Sequence, residues 1–150
     1  NTDLAPTTEG TLWNNISQIN AATASRGLYT TITSDLINSY AWDTAIVYIQ
    51  KFSGYENYSY EDGNSINSVL SNTGNLAENI KDEKCKINDM ASNTREWTTE
   101  YSSNINSTNA YPCISRGGYC RESSYYTSLR IGSRAGLGNL SITFRSTLYI

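Results

Sequence analysis

Apolar residues are thinly spread along this chain, and their spacing changes character several times. Asn1 to Gly10 shows no period, has Pro6 and Gly10 as punctuation, and reads as an irregular lead-in. From Asn14 or Asn15 onward, Ile16, Ile19, Ala22 and Ala24 recur at roughly helical intervals. Asn15 offers an N-cap and Gly27 a C-cap, which predicts a helix of about three turns. Leu28 to Thr33 alternates and is β-branched, predicting a short strand or extended segment. Ser34-Asp35 then offers a second N-cap, and Ile37, Ala41, Ala45 or Ile46, and Ile49 share one face of a second helix running from Leu36 to Ile49.

Between Gly54 and Lys84 the aliphatic residues thin out in favour of Asn, Ser, Gly, Tyr, Glu and Asp, so little regular structure is expected there. Cys85 to Trp97 re-enters a core, and Thr98 to Ala110 is polar again. Tyr111 to Tyr119 reads as a strand with Gly117-Gly118 at a bulge or close approach. Arg121 to Gly138 is a Ser, Tyr, Arg and Gly run, predicted as a surface loop. Leu140, Ile142 and Phe144 alternate with Ser141, Thr143 and Arg145, which predicts a terminal strand from Leu140 to Ile150.

Composition narrows the function classes. A chain of 150 residues suits one domain with a modest core, taken here as residues 1–150. With 12 Tyr and 2 Pro, the uncharged polar surface belongs to an ordered, loop-rich domain rather than a disordered tail. A net charge of -3 without any basic block argues against nucleic acid as a partner. No apolar run is long enough to insert in a membrane, and the chain starts at Asn1 as though it were the mature or C-terminal portion of a longer one. His is absent, which removes imidazole acid-base chemistry, Ser-His and Cys-His nucleophiles and most catalytic zinc arrangements. The three cysteines, Cys85, Cys113 and Cys120, are disulfide candidates: Cys113 with Cys120, or Cys85 with Cys113.

Three short motifs remain. They are Asp89-Met90-Ala91-Ser92-Asn93-Thr94-Arg95-Glu96-Trp97-Thr98, then Arg116-Gly117-Gly118-Tyr119-Cys120, then Ile142-Thr143-Phe144-Arg145. Their order and spacing resemble D-M-A-G-N-x-x-E-W-T, R-G-G and I-G-F-R of the formylglycine-generating (sulfatase-modifying factor) branch of the C-type lectin fold. The resemblance is firm over the second half of the chain and loose over the first, where Leu36 to Ala45 stands in for the family's second helix. It implies an α+β, C-type lectin-like domain with two helices, a small mainly antiparallel sheet and long loops. One departure is Ser92 in place of Gly, so Asn93 follows a residue less tolerant of positive φ.

The resemblance implies several sites. Asn93 and Glu96 stand where some members hold a structural calcium ion, although no acidic cluster accompanies them and the reading preferred from the sequence is Glu96 pairing with Arg116 or Arg145. No cofactor is otherwise required. Trp97 and Phe144 are core candidates expected to touch, and Arg116, Gly117, Gly118 and Arg145 are expected to hold loops. Formylglycine-generating members need a copper-binding Cys pair after R-G-G, where only Cys120 stands here, so no enzymatic activity is expected. Variable proteins of diversity-generating retroelements are similar in placing a mutable segment between R-G-G and G-F-R. By that likeness Tyr119, Arg121, Tyr125, Tyr126, Arg130 and Arg134 form one exposed, hypervariable ligand-binding face. The expected partner is a protein or glycan on another surface, and the expected location is extracellular, on a cell or particle. A formylglycine-generating-type copper oxidase, or a pilin-like or coat subunit able to oligomerise into a filament, are the alternatives.

Overall fold

The computed structural model describes residues 13–63, 82–102, 112–134 and 136–149. Among these residues it is an α+β domain with two α-helices and small sheets. The first helix, α1, spans Gln18–Arg26 and is capped by Ser17, whose Oγ accepts from the Asn20 N–H at 3.3 Å. Asn15, the expected cap, is committed elsewhere: it sits at φ 55° and its N–H donates to the Asn139 carbonyl at 3.0 Å. The face turned inward is also not the apolar one. Gln18, Ala21 and Ser25 are buried while Ile19 is exposed. The Gln18 amide explains this, since it donates to the Thr98 carbonyl at 2.7 Å and accepts from Cys113 Sγ at 3.1 Å.

The expected strand over 28–33 lies later in the chain. Strand β1 is Thr33–Leu36, because those residues pair antiparallel with the last strand, β8, Ser146–Tyr149. That pairing consumes Ser34 and Asp35, so the cap of α2 (Ser39–Phe52) passes to Asn38, whose Oδ1 accepts from the Ala41 N–H at 2.8 Å. Helix α2 buries Ser39, Trp42, Ile46 and Ile49, with Ala41 and Ala45 along the margin. One 3-10 turn, Tyr58–Tyr60, follows within the polar stretch, of which residues 64–81 lie outside the described residues.

A two-residue hairpin joins β2 (Glu83–Lys84) to β3 (Ile87–Asn88), with Cys85 and Lys86 both at positive φ in its turn. The main sheet has four strands in the order β6-β5-β4-β7: β4 is Arg95–Tyr101, β5 Cys113–Arg116, β6 Arg130–Ser133 and β7 Ile142–Phe144. All neighbours are antiparallel except β4 and β7, which run parallel. Two sequence expectations change here. The 121–138 run contains strand β6, because its backbone completes β5. The terminal strand is two strands, broken at Arg145, where the chain leaves β4 and turns to β1.

Two clusters make the core, each centred on a fully buried tryptophan. Trp42 packs with Ile37, Ile46, Ile49, Tyr58, Met90 and Ala91. Trp97 packs with Ile16, Ala21, Leu36, Cys113 and Ile142, with Phe144 beside it as its register partner across β4 and β7. No disulfide joins the three cysteines. Cys85 occupies the hairpin turn at the edge of the first cluster, whereas Cys113 faces Gln18 in the second. Cys120 lies beyond the far end of β5, and three strand residues already cover roughly 10 Å, more than a disulfide spans.

A candidate ligand-display surface

The surface run is held by the turn preceding β4. Asp89 and Asn93 take positive φ, 58° and 64°, in that turn. These are the residue types that tolerate the left-handed region best after glycine. Ser92 is not at positive φ, so its replacement of Gly brings no backbone strain. The buried Asp82 carboxylate organises the turn, accepting from the Ala91 N–H at 2.7 Å, the Ser92 N–H at 3.2 Å and the Tyr58 hydroxyl at 2.9 Å. Burial pushes Asp82 above the usual carboxylate range, and those hydrogen bonds draw it partly back. Burial also pushes the Tyr58 hydroxyl far up. Asp82 carried no motif and was not singled out from the sequence.

Gly117 and Gly118 lay the next segment onto this turn. Gly117 takes φ 90°, and a Cβ at Gly118 would stand 1.7 Å from the Ala91 carbonyl oxygen. The approach allows the Gly118 N–H to reach the Met90 carbonyl at 3.3 Å and the Cys120 N–H to reach the Asn93 carbonyl at 3.1 Å. Further along, the Ser124 N–H donates to Asp62 Oδ2 at 3.0 Å, the Thr127 N–H to the Glu61 carbonyl at 3.1 Å and the Ser128 N–H to the Ser59 carbonyl at 3.1 Å. Trp42 closes the set from below, its indole N–H donating to the Thr127 carbonyl at 3.0 Å. The backbone from Cys120 to Ser128 is therefore fastened along its length, and the polar stretch before residue 64 does much of the fastening.

The side chains named from the sequence divide between two places. Tyr126 is exposed and meets Tyr60 edge-on at 6.3 Å. Tyr125 lies under the Arg95 guanidinium at 5.6 Å, with Tyr119 half-buried nearby and Arg121 exposed. Arg134 lines a cleft with Arg95. Arg130 turns instead toward Glu100 (Nε to Oε2, 3.2 Å) and Asp43 (Nη2 to Oδ2, 3.8 Å), the acids that also meet Arg116. Ser115 and Arg116 are neighbours on one strand and so face opposite sides of the sheet. Arg95 reaches Ser115 whereas Arg130 joins the acids around Arg116, so the single expected face is two. Arg95, Asp43, Glu100, Tyr60 and Asp62 were missed. Arg95 occupies an unconstrained position of the N-x-x-E-W motif, and the others come from segments distant in sequence.

Arg145 and Glu96 form a two-pronged pair: Nη2 meets Oε1 at 2.6 Å, Nε meets Oε2, and Nη2 also reaches the Asn88 carbonyl at 2.8 Å. Burial pulls this guanidinium down and the Glu96 carboxylate more than reverses it. Asn93 donates through Nδ2 to Asp89 Oδ2 at 3.4 Å. Both oxygens of Glu96 thus face a cation, and among the described residues no group of three or more His, Cys, Asp or Glu side chains is arranged to hold a metal. Burial raises the thiols of Cys113 and Cys120 above their ordinary range. Among the described residues, no helix is long and apolar enough to cross a membrane.

No family model matches the chain, and no curated protein sequence matches it. Among solved structures, Treponema denticola variable protein 1 is similar at 18% identity and a TM-score of 0.49, over 77% of this chain and 47% of that one. The chain spans about half the length of that protein.

Proposed function

We propose that this is a ligand-display domain on a C-type lectin-like frame, acting outside the cell or on a particle surface and recognising a protein through its Tyr- and Arg-bearing C-terminal surface. The observation that carries the reading is the fastening of the Cys120–Ser128 backbone to the Asn93 turn, to residues 59–62 and to Trp42, while Arg121 and Tyr126 stay exposed. A backbone held this way tolerates changes in its outward side chains, and its binding residues lose little entropy when they engage. Tyr and Arg are also the usual energetic anchors of an interface.

An oxidase of the formylglycine-generating type has less support. The sequence holds no His, and the buried thiols of Cys113 and Cys120 are biased toward the unreactive protonated form. No calcium ion is needed by this reading, since Glu96 is matched by Arg145.

The experiment is a screen of displayed protein and glycan libraries with the wild-type domain and with a Tyr125→Ala, Tyr126→Ala double variant. A ligand retained by the wild type, lost by the variant and accompanied by a nearly unchanged melting temperature is the expected result. Variants that melt like a core truncation, or that bind equally well, overturn the reading. In the gene's neighbourhood, a near-copy of the codons for Tyr119 to Asn139 beside a reverse transcriptase would identify the run as the diversified segment.

A further inference from the structure

Arg95 is a buried cation that differs from its buried counterparts. Arg116 meets Asp43 and Arg145 meets Glu96, but among the described residues no carboxylate lies at ion-pair distance from Arg95. The Arg95 residue is 8% exposed; Nη2 donates to Ser141 Oγ at 2.9 Å and Nη1 to Ser115 Oγ at 3.4 Å. Its Nε is buried and has no hydrogen-bond partner. Burial pulls the guanidinium below its ordinary range, with Tyr125, Tyr119 and Glu122 drawing it back up, yet an arginine stays charged at any ordinary pH. A buried charge with no carboxylate in contact is costly, and an incoming anion would relieve that cost.

The same residue lines a cleft of about 320 Å³ between the sheet face and the 137–139 segment. Arg134, Gly132, Ser133, Leu137 and Asn139 complete much of its wall. The volume suits one side chain or one sugar ring, not a length of polymer. Its chemistry leans toward donors: the Arg95 guanidinium lies at the floor, Leu137 offers an exposed apolar rim, the Asn139 amide oxygen is already taken by the Ser141 N–H (2.8 Å) and Oγ (2.6 Å), and the Ser133 hydroxyl both donates and accepts. Sugar hydroxyls need acceptors as well as donors. A Glu or Asp side chain needs only donors for its oxygens and an apolar wall for its methylenes.

We propose that this cleft receives the carboxylate of an acidic side chain on a protein partner, with Arg95 as its floor and Arg134 at its wall. The inference deepens the display reading and rests on it for the biological partner. It links the Tyr125 surface to a specific pocket, because the Tyr125 ring faces, at 5.6 Å, the guanidinium that the carboxylate would meet.

The test is solution NMR on the intact domain, titrated with acetyl-Gly-Glu-Gly-amide, its Gln counterpart and glucuronate. The expected result is a saturable shift of the Arg95 Nε–H resonance with the Glu peptide and none with the Gln peptide. Leu137→Glu adds a competing carboxylate at an exposed rim position, so it leaves the fold intact and should weaken the Glu peptide at least about tenfold. No shift at Arg95, equal shifts from both peptides, or an unchanged affinity in Leu137→Glu overturns the proposal. Saturation by glucuronate alone overturns it in favour of an acidic sugar. None of these readouts uses the library ligand, so failure here leaves the display reading standing, and a carboxylate site persisting when Tyr125 and Tyr126 prove dispensable for partner binding would separate the two in the other direction.

Discussion

The frame and the surface run it carries use similar residues under opposite conditions. In the frame, Arg145 faces both oxygens of a buried Glu96, and Trp97 is fully enclosed by Ile16, Leu36, Cys113 and Ile142. On the run, Arg121 and Tyr126 stand exposed on a backbone whose hydrogen bonds go to segments far away in sequence. The difference separates two jobs that contiguous sequence would mix. Buried side chains lock the frame beyond its sheet ladders, whereas the run is held through its backbone atoms, which leaves side chains such as Arg121 and Tyr126 turned outward.

That contrast breaks most sharply at the tryptophans. Trp97→Ala should cost about 3–5 kcal/mol, a large share of the roughly 5–15 kcal/mol that holds a domain folded, and chemical denaturation will register it as a large fall in the unfolding midpoint. Glu96→Gln should follow at about 3 kcal/mol, because it strands the Arg145 guanidinium beside a neutral amide. Glu96→Gln combined with Arg145→Met should recover part of that loss in the same denaturation experiment. A Glu96→Gln protein as stable as wild type would mean that the pair contributes nothing to the frame.

A smaller effect is expected from Asp89, which burial pushes up to about 6, with Asp82 and Glu96 adding to the rise and Asn93 and Arg145 opposing it. The folded protein binds this proton more tightly than the unfolded chain, whose Asp titrates near about 4. Stability contributed by the proton is thus complete below about pH 4, declines as pH rises to about 6, and is gone above that, a span of about 1–3 kcal/mol. Burial raises Asp82 too, in the same direction. Asp89→Asn keeps a residue suited to φ 58° and should flatten the pH dependence of urea midpoints between about pH 4 and about pH 6.

Arg130→Ala lies between the two regions, since Arg130 is half exposed yet shares Asp43 and Glu100 with Arg116. Its loss should lower stability by no more than about 1 kcal/mol, fading at high salt. Arg121→Ala should change stability by less than about 0.5 kcal/mol by the same denaturation assay. If Arg121→Ala destabilised as much as Glu96→Gln, frame and run would not be distinct.

Much of the frame was legible in the sequence because it depends on local grammar. The spacing of Ile37, Ile46 and Ile49 announced α2, the Asp89–Trp97 motif announced a return to the core, Arg116–Gly118 a close approach, and alternation announced β7. The caps and boundaries were shifted where a distant partner claimed the residue first: β8 took Ser34 and Asp35, and Asn139 took Asn15. Strand β6 was invisible because Arg130, Ile131, Gly132 and Ser133 have no alternating pattern, and only pairing with β5 makes them a strand.

The site was less legible still. Composition together with the likeness to variable proteins led to the expectation of one recognition face holding Tyr125, Tyr126 and Arg134, but which side of the sheet each serves follows from the opposite facing of Ser115 and Arg116. Arg95 became a candidate only when the fold buried it beside a cleft and gave it two hydroxyls instead of a carboxylate. Local periodicity and backbone tolerance are written residue by residue, so the sequence determined the helix α2, the glycine contact and the core tryptophans. Charge pairing and desolvation depend on what lies a few ångströms away regardless of chain distance, and those the tertiary structure alone decided.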